Sequence, residues 1–116
     1  MAIKIEDIER LDFHDIADIP IKKLPATHPG EYLAEILNEL GISQAELARA
    51  IGVSSMRVSH VVRCARPVTA ELALLFGRAF GQSPSYWMNL QAIFDLKTAE
   101  SNIGKRLPDV HEFAHE

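Results

Sequence analysis

Two groups of side chains in this 116-residue sequence have types and spacings suited to chemistry. The first runs Ser54-Ser55-Met56-Arg57 and continues through Ser59, His60, Arg63 and Arg66. An arginine can donate two N–H bonds to the O6 and N7 edge of guanine. A serine can hydrogen-bond several bases, and a methionine can touch a thymine methyl. Arginines and short hydroxyls also suit phosphate oxygens, which fix position without reading sequence. The second group is His111-Glu112-Phe113-Ala114-His115, the H-E-x-x-H spacing that sets two zinc ligands and a glutamate base on one helical face.

The second group lacks its surroundings. Zinc hydrolysis needs a third protein ligand and a rigid, open site. Here only Glu116 follows the second histidine, and Pro108 lies just upstream, so any helix would be barely more than a turn long. A helix that short does not hold itself together in water. A zinc metallopeptidase is therefore the minor alternative. His60 has no metal-binding side chain at i+3 or i+4 and reads as a nucleic-acid contact rather than a ligand. The sequence has no glycine-rich phosphate loop and no G-x-S-x-G. Asp12, Asp15 and Asp18, near His14, read as a solvated acidic face. The expectation is a protein with no catalytic residues, no metal and no cofactor.

The first group sits on two short helices with a turn between them. Ser43 and Glu46 have capping-box spacing, and Leu47, Ala48 and Ile51 follow on one face. Gly52 stands where a helix ends in the left-handed region. Ser54 caps a second helix whose Val58, Val61 and Val62 face inward. What that helix leaves outside is Ser55, Met56, Arg57, Ser59 and His60, near its N-terminal end. Two helices, a glycine turn and an exposed polar N-terminal half describe a DNA-binding helix-turn-helix. Base contacts are expected from Ser55, Met56, Arg57 and His60. Phosphate contacts are expected from Gln44, Ser54, Ser59, Arg63 and Arg66, with Arg57 itself able to serve as a phosphate clamp instead.

The remaining helices supply the support. His28-Pro29-Gly30-Glu31 opens one, with Pro29 near N1 and the stripe Leu33, Ile36, Leu37 and Leu40. Thr69 caps the segment to Gly81, which is apolar on two sides. One face holds Ala73, Phe76, Gly77 and Phe80; the other holds Leu72, Leu75 and Ala79. A small domain rarely covers both faces, so Leu72 and Leu75 are the candidates for a dimer interface. Ser83 and Pro84 start the last long helix, with Trp87, Leu90 and Phe94 facing the core and the pattern fading near Glu100. The chain divides into an N-terminal extension (1–27), an all-α domain (28–100) and a C-terminal tail (101–116). In the extension, Ile5, Ile8 and Leu11 recur at helical spacing before Pro20 and Pro25 interrupt it.

Charge supports a local rather than a global role in binding. The formal net charge is −4, which is unusual for a DNA binder. Residues 41–68, however, carry a single acid, Glu46, against Arg49, Arg57, Arg63 and Arg66, for a local +3. A basic patch on an acidic body can meet phosphates where it matters. Weak non-specific affinity is the expected result, with specific binding needing two copies of the motif. The lone Cys64 rules out an internal disulfide. No apolar run approaches membrane-spanning length, and the first residues are charged where a signal peptide needs an apolar core. These features point to a cytoplasmic protein with no membrane partner.

Four stretches resemble one known family: HPGEYL at 28–33, GISQAELARAIGVSSMRVSHVV at 41–62, TAELAL at 69–74 and SPSYWMNLQAIFDL at 83–96. They look like the HigA/VapI-type antitoxins of the Xre (Cro/repressor-like) helix-turn-helix class. The resemblance covers roughly residues 28–100 and implies a five-helix, lambda-repressor-like domain that dimerises on a double-stranded DNA operator. It further implies autorepression and neutralisation of a partner, a RelE/HigB-like endoribonuclease. Family members commonly carry arginine-glutamine where this chain has Ser55-Met56, so the operator sequence does not transfer. They often carry an asparagine-glycine turn where this chain has Arg63-Cys64-Ala65-Arg66. The acidic extension is a candidate toxin-contacting arm. A stand-alone Xre regulator and a protein-interaction module without DNA binding are the competing readings.

Overall fold

A computed structural model describes residues 27–114. The helical spacing in residues 1–26, the candidate toxin-contacting arm they largely form, and His115 therefore lie outside the described residues. Five α-helices follow one another: α1 (Pro29–Leu40), α2 (Gln44–Ile51), α3 (Ser55–Val62), α4 (Ala70–Phe80) and α5 (Pro84–Ile103). A short 3₁₀-helix, Gly104–Asp109, closes the sequence of elements, and no strand occurs among the described residues. The last helix thus extends past Glu100 to Ile103, and the tail begins as a tight continuation of it.

Each helix starts where a side chain can satisfy an otherwise orphaned N–H. Ser43 Oγ accepts from the Glu46 N–H at 3.0 Å, and Glu46 Oε1 accepts from the Ser43 N–H at 3.1 Å, completing the expected box at α2. Ser54 caps α3 through the Arg57 N–H at 3.2 Å, and Thr69 caps α4 through the Leu72 N–H at 3.2 Å. Ser83 caps α5 through the Ser85 N–H at 3.2 Å. At α1 the capping group is an imidazole: His28 Nδ1 accepts the Gly30 N–H at 2.8 Å. The turn between α2 and α3 closes at Gly52, whose φ of 76° is costly for any residue with a side chain.

The core is a single cluster drawn from all five helices. Leu33, Val58, Val61, Ala73, Phe76 and Trp87 are completely buried. Phe76 and Tyr86 both meet the Trp87 ring edge-on, with centroids 5.1 Å away in each case. Trp87 also donates its indole N–H to Gln82 Oε1 at 2.9 Å, which settles the polar end of an otherwise apolar ring. On α1, Leu40 departs from the expected stripe and is exposed, because the helix has run past the core by its last turn.

The two-sided apolar pattern of α4 resolves differently from the sequence expectation. Leu72 is only 2% exposed and packs in its own chain's core, so it is not a free interface side chain. Leu75 is half-buried against the same core, and Leu74, at 61% exposed, is the leucine that α4 leaves outside. The core wraps further around α4 than two separate faces implied, because α5 and α2 both pack on it.

The closest constraint joins α1 to α3. A Cβ placed on Gly30 would fall inside the Val61 carbonyl, so the first turn of α1 can abut the last turn of α3 only with glycine there. The obstructing Val61 carbonyl is main chain, which cannot swing aside. Gly30→Ala is therefore expected to cost about 1–3 kcal/mol, seen as a lowered urea midpoint with helix content retained at zero denaturant.

Candidate nucleic-acid interface

Helix α3 buries Val58 and Val61 completely, packs Val62 partly against the same core and turns its remaining residues outward. Ser54, Ser55 and Met56 are exposed, and Arg57, Ser59 and His60 are half-buried. Gln44, at the start of α2, is half-buried, and Arg63 and Arg66 are exposed in the segment that leaves α3. The sequence-expected base readers thus lie on the exposed side of one helix, with the two further arginines just past its C-terminal end. Arg57, His60, Arg66, Pro67 and Thr69 line a cleft of about 370 Å³ between α3 and the start of α4.

Arg57 is not loose. Its Nη2 donates to Glu71 Oε1 at 2.6 Å, across from α3 to the first turn of α4. Glu71 was absent from the sequence reading, because a partner fourteen residues away leaves no periodic signal.

The segment carrying Arg63 and Arg66 is shaped by an uncommon turn. Cys64 has φ of 62°, the one positive value at a non-glycine among the described residues. Its N–H donates to the Val61 carbonyl at 2.9 Å, and the Ala65 N–H donates to the His60 carbonyl at 2.9 Å. Partial burial pushes the Cys64 thiol up, with the Glu31 charge adding to it. A thiol held protonated is a poor nucleophile.

Two buried polar side chains fix this segment from behind. The His28 imidazole, while capping α1, also hydrogen-bonds the Arg66 backbone and stands edge-on to Phe94 with ring centroids 4.9 Å apart. Gln91 Oε1 accepts the Val68 N–H at 2.7 Å, and its Nε2 donates to Asp95 Oδ1 at 2.9 Å. The HPGE and NLQ stretches therefore hold the exit of α3 in place. Sequence reasoning found the stretches without finding this role.

His115, the second histidine of the zinc motif, lies outside the described residues. Residues 111–114 form no helix, and the His111 ring instead lies edge-on to Phe113 at 4.7 Å. Among the described residues, no group of three or more His, Cys, Asp or Glu side chains converges as a metal site. No helix among them is long and apolar enough to cross a membrane.

An exposed polar helix set across a glycine turn from its partner, with arginines at its exit, defines a helix-turn-helix protein. The helix-turn-helix family model matches residues 33–87. Virulence-associated protein I of Dichelobacter nodosus is 43% identical over 81 residues, covering 69% of this chain and 75% of that protein. The Pseudomonas aeruginosa antitoxin HigA, solved with the higBA promoter, superposes with a TM-score of 0.72 at 43% identity, over 76% of this chain and 97% of its own. A HigA-family addiction module antidote protein from Coxiella burnetii gives 0.74 at 36% identity, over 78% and 100%. The chain belongs to the HigA/VapI-type antitoxin family of the Xre helix-turn-helix class.

Burial holds the His28 pKa below its ordinary 6.5, against the opposing pull of Asp95, Glu31 and the Arg66 backbone bond. The unfolded chain therefore takes up a proton at higher pH than the folded one. The stability linked to His28 is complete above pH 6.5 and is lost as pH falls below that value toward the lowered folded pKa. Urea midpoints measured from pH 7.5 down to 5.5 are expected to fall. His28→Asn keeps a capping acceptor without the titration, and the fall should be shallower in that variant.

Proposed function

We propose that this chain is the antitoxin of a toxin–antitoxin pair: a dimeric, sequence-specific repressor of its own operon that also neutralises a RelE-like, mRNA-cleaving toxin. The observation that carries the DNA-binding part is the exposed face of α3, with Arg57 half-buried at its base and Arg63 and Arg66 held in a fixed turn beyond it. Support comes from the P. aeruginosa HigA solved with its promoter.

In this reading Ser55, Met56, Arg57 and His60 face base edges, and Gln44, Ser54, Ser59, Arg63 and Arg66 meet phosphates. Four readers are few for one site, and Glu71 offsets one of the arginines of the basic patch, which is the reason for a dimer. Two copies place their α3 helices about 34 Å apart, one DNA turn, on a near-palindromic operator. With Leu72 in the core, Leu74 is the exposed leucine that α4 offers to a second copy.

Arg57→Ala is expected to weaken binding to the chain's own upstream DNA by about 1–3 kcal/mol and to affect a random duplex much less. Gel shifts at two salt concentrations check this. An equal loss on both duplexes would reduce Arg57 to a phosphate clamp.

The antitoxin part has a separate test. Where a neighbouring reading frame encodes a small basic protein that arrests growth, co-expression with this chain is expected to give a stable co-purifying complex and to relieve the arrest. Growth arrest without rescue would leave a stand-alone regulator.

A further inference from the structure

We infer that Glu71 is a specificity-determining residue: it positions the Arg57 guanidinium so that Arg57 reads guanine rather than clamping phosphate. The inference rests on the DNA-binding reading above and goes beyond it.

The geometry is specific. Arg57 lies in the first turn of α3, with its backbone N–H already bonded to the Ser54 cap. Its side-chain tip is held from the next helix by Glu71. The side chain is thus anchored at its backbone root and held at its tip across the gap between α3 and α4. An unrestrained arginine would lose rotamer freedom on meeting DNA; here the ion pair already favours one orientation of the tip. Glu71 engages Nη2, and a guanidinium carries five donors in a planar fork. Donors remain for the two parallel bonds that a guanine edge accepts.

The sign of the charge separates the two roles left open for Arg57. A carboxylate at 2.6 Å neutralises the arginine at the surface where phosphates would arrive. For a phosphate clamp that is a handicap, because non-specific affinity rises with net positive charge. For a base reader it is an aid, since direction matters more there than net charge. Both side chains are solvent-accessible, Glu71 at 67%, so the pair is free to act at a docking surface and contributes little to holding the fold together.

The test uses the full chain, its own upstream DNA and a random duplex of equal length. Glu71→Gln is expected to lower the operator-to-random affinity ratio roughly threefold to tenfold, while random-duplex affinity stays the same or rises. In an Arg57→Ala background the same substitution should leave the ratio unchanged. Glu71→Asp should recover part of it, and thermal melts should show all variants folded. Affinities that rise together with an unchanged ratio would make Glu71 a repulsive surface charge and overturn the inference. An equal ratio loss in the Arg57→Ala background would also overturn it, pointing to the α4 dipole instead. Wild-type chain without operator preference would overturn the DNA-binding reading itself, a result distinct from either of these.

Discussion

The main-chain contact between Gly30 and the Val61 carbonyl is the constraint on which the reading helix depends. Hydrophobic burial of Val58 and Val61 holds α3 to the core but is non-directional and would tolerate some sliding along its axis. A backbone-to-backbone approach does not slide, because neither side has a rotamer to change. Around that contact the chain adds directional bonds between His28 and the Arg66 backbone and from the Val68 N–H to Gln91. The first turn of α1 and the middle of α5 thereby share the task of fixing the exit of α3.

This division explains why the domain can afford an acidic body. The residues that hold α3 are buried and nearly neutral, and the residues that would meet DNA are few and clustered. A charge of −4 spread over the whole chain is screened within about a Debye length. The local arginines act at contact distance, where screening matters less. Association would then be slow to start and selective once made.

The sequence made the helices legible because their signals are local. Caps two or three residues from their targets, glycine at a helix end and apolar spacing need no knowledge of the fold, and α1 to α5 follow from them. Interactions between distant residues were not legible. Gln91 reaches a backbone N–H twenty-three residues away, and Glu71 reaches Arg57 fourteen residues away. Nothing in the spacing of those residues announces a partner. Leu72 was misplaced for a related reason: helical periodicity gives the angle between faces but not how far a core wraps around them. The H-E-x-x-H spacing failed in the opposite sense, being a local pattern whose chemistry depends on a helix that residues 111–114 do not form.

The left-handed turn at Cys64 has a consequence for how this protein can vary. A residue with a Cβ in that region carries a strain of about 1–2 kcal/mol, and the hydrogen bonds to Val61 and His60 hold it there. Glycine or asparagine would relieve the strain, whereas valine, isoleucine or threonine would deepen it through the second group on Cβ. Arg63 and Arg66, on either side, face solvent and are bound by no such limit. Drift in this loop is thus permitted in charge and forbidden in shape: the arginines can be exchanged for other side chains, while the bend that presents them stays as it is.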